Sequence, residues 1–171
     1  MSIKERGREA WGKITAGVQS GVDQAQAELG RLESQAAGAP DATKARIRGQ
    51  IGQTRGKQEA GWEKVRAGLE QQILEADAEI RELEAAAAGV SGDARARIME
   101  QVEKVRRERN GAREKLENSL QSEIVEAENE MQTLQKEAAD AGGKAAERIM
   151  RRAEWARVRR DAMQERLEAV R

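Results

Sequence analysis

The chain has 171 residues, no net charge at neutral pH, and no Phe, Tyr, Cys or His. Without His or Cys there is no nucleophile–base triad, thiolate nucleophile, ordinary zinc site or haem ligand, so a non-enzymatic protein with no cofactor and no metal is expected. Basic and acidic residues number 31 each, which leaves no overall field to draw the chain to nucleic acid, and an Ala-rich apolar share of 38% beside 36% charged residues is the composition of long helices.

The opening segment, MSIKERGREAW, lacks the apolar core of a signal peptide, and no apolar run approaches the roughly 20 residues needed to cross a bilayer. A cytoplasmic location is therefore expected, with attachment to a membrane surface as the second option. Ser2-Ile3-Lys4-Glu5 has capping-box spacing and opens a first helix over 3–37. Gly38-Ala39-Pro40-Asp41 ends it and starts a second over 41–88. Gly89-Val90-Ser91-Gly92-Asp93 separates that from a third over 92–140, and Asp140-Ala141-Gly142-Gly143 precedes a fourth over 143–171. Gly38 and Gly89 suit the left-handed position that closes a helix. Pro40 fits a first helical turn, and Ser91 or Asp93 is placed to cap amides there. At 1.5 Å per residue the two middle helices would each be roughly 70 Å long. The predicted fold class is all-α: four long antiparallel helices in a single repeat domain spanning 1–171.

A shift of 51 residues, without gaps, superimposes the chain on itself. It aligns Val22, Ile73 and Ile124; Leu29, Ile80 and Met131; Leu32, Leu83 and Leu134; and Val65, Leu116 and Leu167. It also places Trp11 on Trp62. Duplication is the simple explanation, and the three turn segments fall at equivalent places. Within the second helix the apolar stripe runs Ile47, Ile51, Thr54, Gln58, Trp62, Val65, Leu69, Ile73, Ala76, Ile80, Leu83, Ala87. Through Ile80 its steps are 4-3-4, an eleven-residue period that keeps helices nearly straight or weakly right-handed in supercoil. The third helix repeats the stripe from Ile98 to Ala138, interrupted by Arg109 and Arg113.

Charge argues independently for hairpins. The arm before each turn is acidic and the arm after it basic: Glu75, Asp77, Glu79, Glu82 and Glu84 precede the second turn, and Arg95, Arg97, Lys104, Arg106, Arg107 and Arg109 follow it. Around the third turn Glu126, Glu128, Glu130, Glu137 and Asp140 oppose Lys144, Arg148, Arg151, Arg152, Arg157, Arg159 and Arg160. Folding back sets these arms side by side; each surface pair adds under ~1 kcal/mol, so charge selects register more than it stabilises.

Apolar burial is thin, because Ala-rich stripes remove little area from water. Eleven glycines inside the predicted helices, among them Gly7, Gly12, Gly17, Gly21, Gly49, Gly52, Gly56, Gly61 and Gly68, cost on the order of 10 kcal/mol relative to Ala. Either they permit close helix contact, the reading favoured here, or this stretch needs a partner surface to be helical. Trp11, Trp62, Val65, Leu69, Leu116, Leu120 and Leu167 are the expected packing anchors. Trp155 lies beside the stripe and is expected to cover an interface or dip into lipid headgroups. The carboxylate spacings Glu79/Glu82 and Glu126/Glu130 read as solvated faces rather than metal sites. The basic run 144–160 reads as the partner of the acidic arm 126–140; with no aromatic cluster beside it, nucleic acid is not the expected partner.

Through Ile47-Ile51-Thr54-Gln58 and the 4-3-4 steps that follow, the chain resembles amphipathic eleven-residue-repeat helical proteins, the apolipoprotein-like group and the phage-shock-protein A group with its long helical hairpin. Members of those groups commonly act at lipid surfaces and polymerise, so the resemblance implies both. The chain departs from them in its regular 51-residue turn spacing. The expected function is structural scaffolding by self-association, because the first and last helices are partial copies whose flanks match the internal contacts. A lipid surface and a helical protein partner are the alternatives.

Overall fold

The computed structural model describes the backbone from residue 3 to 171 and the side chains of residues 12–13 and 16–171. Among the described residues there are four helices and no strand: α1 (Ile3–Ala37), α2 (Asp41–Ala88), α3 (Gly92–Asp140) and α4 (Gly143–Val170). Their ends fall within a residue of the spans read from the glycine and proline punctuation. The chain clusters into two compact units, Met1–Gln71 and Gln72–Arg171, with the boundary inside α2.

In the first unit α1 and the opening part of α2 form an antiparallel hairpin. Glu33 meets Arg55, Gln26 meets Gln58, and Val22 lies against Gly61, so residue numbers fall along α1 as they rise along α2. Val22, Leu29 and Leu32 of α1 and Ile47, Thr54, Val65 and Leu69 of α2 are buried. In the second unit Glu84 meets Arg106 and Asp77 meets Arg109 across the α2–α3 hairpin, whose core is Ala76, Ile80, Val102 and Val105 with Leu83 packed against it. Helices α3 and α4 pack on one another beyond the third turn, where Glu130 meets Arg159.

Every stripe position of α2 from Ile47 to Ala87 is buried or partly buried, and so is every equivalent position of α3 from Ile98 to Ala138. Arg109 and Arg113 do not break the α3 stripe. Both are partly buried; Arg109 turns its guanidinium onto Asp77 at 2.9 Å, and the Arg113 Nε is buried without a hydrogen-bond partner among the described residues. Val65, Leu116 and Leu167, spaced 51 residues apart, are all buried.

Three expectations about the turns and glycines are corrected. The left-handed residues are Gly92 (φ 58°) and Gly143 (φ 56°), not Gly38 or Gly89. Helix α2 closes with the Gly89 N–H bonded to Ala86 O, and the reversal is made by the residue that opens the next helix. Ser91 is extended and makes no side-chain cap. The capping-box residue Ser2 lies outside the described residues. At the first turn Pro40 immediately precedes α2, and its carbonyl accepts the first backbone bonds of the helix from the N–H groups of Thr43 and Lys44 at 2.9 Å.

The helical glycines, for the most part, do not mediate close packing. A Cβ added at Gly12, Gly17, Gly21, Gly49, Gly52 or Gly56 would meet nothing within 4 Å, because these positions face outward. Gly61 and Gly68 differ from these: an added Cβ at Gly61 would stand 2.6 Å from Val22 Cγ2, and Gly68 is buried. Gly7 lies outside the described side chains.

Candidate interaction surfaces

The expected packing anchors divide by helix face. Val65 and Leu69 of α2, Leu116 and Leu120 of α3 and Leu167 of α4 are buried, Leu116 and Leu120 fully so. Trp62 is partly buried. The Trp11 side chain lies outside the described residues. Trp155 is different: it is 56% exposed, on the side of α4 turned away from the buried Ala153, Ala156 and Leu167. The guanidinium of Arg159 sits 5.2 Å from the centre of its ring. The same group donates from Nη2 to Glu130 Oε2 at 3.0 Å, tying the stacked pair to α3.

The polar contacts across the first two hairpins coincide under the 51-residue shift. Arg55–Glu33 at 2.9 Å becomes Arg106–Glu84 at 2.6 Å, and Gln58–Gln26 at 3.0 Å becomes Arg109–Asp77 at 2.9 Å. Arg106 also holds Glu103 at 2.8 Å. The hydrogen bonds it donates, to Glu84 first and Glu103 second, push its pKa still higher, so the guanidinium stays charged throughout the working range. Sequence reasoning found these arms but missed Arg66, a charged residue only 2% exposed and bonded to Glu63 at 2.9 Å. Its neighbours Val65 and Leu69 carry the stripe, and the amphipathic pattern gives no signal that the intervening cation turns inward.

The open groove lined by Asp77, Ile80, Arg81, Glu84, Arg106 and Arg109 is the outer edge of the α2–α3 ion-pair ladder. Among the described residues no cluster of three or more acidic, His or Cys side chains could hold a metal ion, and no helix is long and apolar enough to cross a membrane.

In the basic segment 144–160 Arg159 reaches the acidic arm, whereas Arg157 bonds Glu154 and Asp161 and Arg160 bonds Asp161, all within α4. Arg148 and Arg151 are exposed and make no side-chain hydrogen bond or ion pair among the described residues; the same holds for Glu165. Large apolar side chains also stand on the outside: Leu74 at 63% exposure and Val158 at 58%, with Met99, Val125 and Met150 less exposed. Comparison with protein-family models, curated proteins and solved structures gives no match to this chain.

Proposed function

We propose that this chain is a structural, scaffolding protein without catalytic activity, which associates with copies of itself through the outer faces of its helices. The observation that carries the reading is where the exposed apolar residues recur. Leu74 and Val125 are exposed at positions 51 residues apart, and so are Met99 and Met150. A single exposed Leu or Met needs no explanation. The same kind of residue returning to the same outward place on successive hairpins describes a surface with a use.

The outward glycines add to this. Helix α1 and the first part of α2 carry the cost of Gly17, Gly21, Gly49, Gly52 and Gly56 with no close contact to offset it, as expected of a stretch completed by a partner. Sedimentation and light scattering of the full chain across micromolar concentrations are expected to show a dimer or larger assembly. A compact, stable monomer throughout would sink the reading. Attachment to an anionic lipid surface is the second reading, favoured by exposed Trp155 with Arg151 and Arg152 nearby on the same helix. Unchanged helix content and no co-sedimentation with phosphatidylserine-containing vesicles would remove it.

A further inference from the structure

Helix α4 carries two seams. One, through Ala153, Ala156 and Leu167, is buried. The other runs Arg148, Arg151, Trp155, Val158, Ala162, Glu165, Ala169 in alternating steps of three and four, and every member is exposed. That spacing is a coiled-coil seam, about 32 Å long at 1.5 Å per residue. Its chemistry is ordered along the axis: cations at the start, apolar residues in the middle, an acid and a small residue at the end.

We infer that this outer seam of α4 pairs antiparallel with the same seam of a second copy, about a two-fold axis at Val158. The proposal rests on the self-association reading and specifies its surface. Reversing the helix about Val158 puts Val158 on its own copy, Arg151 opposite Glu165 and Arg148 opposite Glu168, and brings Trp155 level with Asp161, one residue short of the seam's Ala162. Cation meets anion toward both ends of the seam, and the indole comes down beside a small residue near the middle, which is the self-complementarity an isologous interface requires. Arg151 and Glu165 make no side-chain ion pair among the described residues, so each is available to the other across the axis. A parallel arrangement would stack Arg148 and Arg151 on their own copies and is disfavoured by charge.

The seam is specific to the last helix. At the positions of Trp155 and Val158, α3 has Lys104 and Arg107, and α2 has Gln53 and Gly56, all exposed. Three polar residues and a glycine stand at these places on α2 and α3, and a Trp and a Val stand there on α4. The Arg159 guanidinium, stacked on Trp155 and bonded to Glu130, holds the indole in place before a partner arrives. Little side-chain freedom is then lost on binding.

The test is sedimentation equilibrium of the full chain and of four variants, with helix content checked by circular dichroism. Trp155→Glu is expected to weaken the dimer roughly tenfold or more, as for a central aromatic anchor. Arg151→Glu and Glu165→Arg are each expected to weaken it, and the double variant R151E/E165R to restore it, because the swap rebuilds both pairs with reversed sign. If the native chain assembles and W155E assembles equally well, the seam is overturned while self-association stands. If the double swap recovers nothing, the antiparallel register is overturned. A native chain that is monomeric ends both. A monomer that binds phosphatidylserine vesicles and loses that binding in W155E assigns the face to lipid and overturns the proposal.

Discussion

Arg106 and Glu84 are 22 residues apart in sequence and 2.6 Å apart in space, and 51 residues earlier Arg55 and Glu33 make the same bridge at 2.9 Å. The third place in this series is held by Arg157 and Gln135, so the acid is missing there. The hairpins thus share a register fixed by polar contacts as well as by the stripe, and the series can be completed or broken by single substitutions.

Gln135→Glu is expected to supply the missing bridge to Arg157 and to stabilise the α3–α4 hairpin by about 0.2–1 kcal/mol, the range for an exposed pair. The gain should appear in thermal unfolding at low ionic strength and fade at high salt. A gain that persists unchanged at high salt would mean that the substitution acts otherwise. For the existing bridge the pH sign is clear. The folded-state pKa of Arg106 is raised by Glu84 and Glu103, so its contribution is present below the unfolded value and lost only as pH rises through the folded one. The guanidinium should therefore cause no loss of stability up to about pH 11.

Replacing outward glycines should stabilise the chain. Gly49→Ala, Gly52→Ala and Gly56→Ala each place a methyl group in open space, and each is expected to add about 0.8–1 kcal/mol in urea unfolding. Gly61→Ala is the control. Its Cβ would meet Val22 Cγ2 at 2.6 Å, and a β-branched neighbour has little rotamer freedom with which to yield, so this variant should gain nothing or lose stability. Equal gains at Gly61 and Gly52 would contradict the α1–α2 register.

The two left-handed glycines make the opposite prediction. Gly92→Ala and Gly143→Ala should each cost about 1–2 kcal/mol, since an L side chain at positive φ clashes with its own backbone. Ala39→Gly, at a turn residue, should be close to neutral. Chemical denaturation read by circular dichroism separates these outcomes; a neutral Gly143→Ala would show that the third turn can reverse by another route.

Leu116→Ala and Leu120→Ala remove fully buried side chains and are expected to cost about 2–5 kcal/mol each. Leu74→Ala, at 63% exposure, should change the stability of the lone chain by less than about 0.5 kcal/mol while weakening assembly. Stability measured at two protein concentrations tells these apart, because only an assembly defect depends on concentration.

Much of the fold was legible in the residue order. Helix ends follow from glycine and proline chemistry, and the stripe from Ile47 to Ala87 states which face turns inward. The acidic and basic arms name the hairpin partners, realised in Glu33–Arg55, Asp77–Arg109 and Glu130–Arg159. The α4 surface was half legible. Trp155 stood out as an aromatic beside the stripe, but its union with Val158, Arg151 and Glu165 into one outer seam required knowing which face α3 had already taken.

Sequence by itself determined the helices, their lengths and the order of reversal, because these rest on local backbone preferences and on a periodicity that extends over whole helices. Tertiary structure alone decided which glycine turns left-handed, which glycine touches a neighbour, and that Arg66 lies buried. Those outcomes depend on how closely one helix approaches another at a single residue. A pattern repeated every eleven residues specifies the face presented to a partner, but the separation at each point is set by the side chains that meet there.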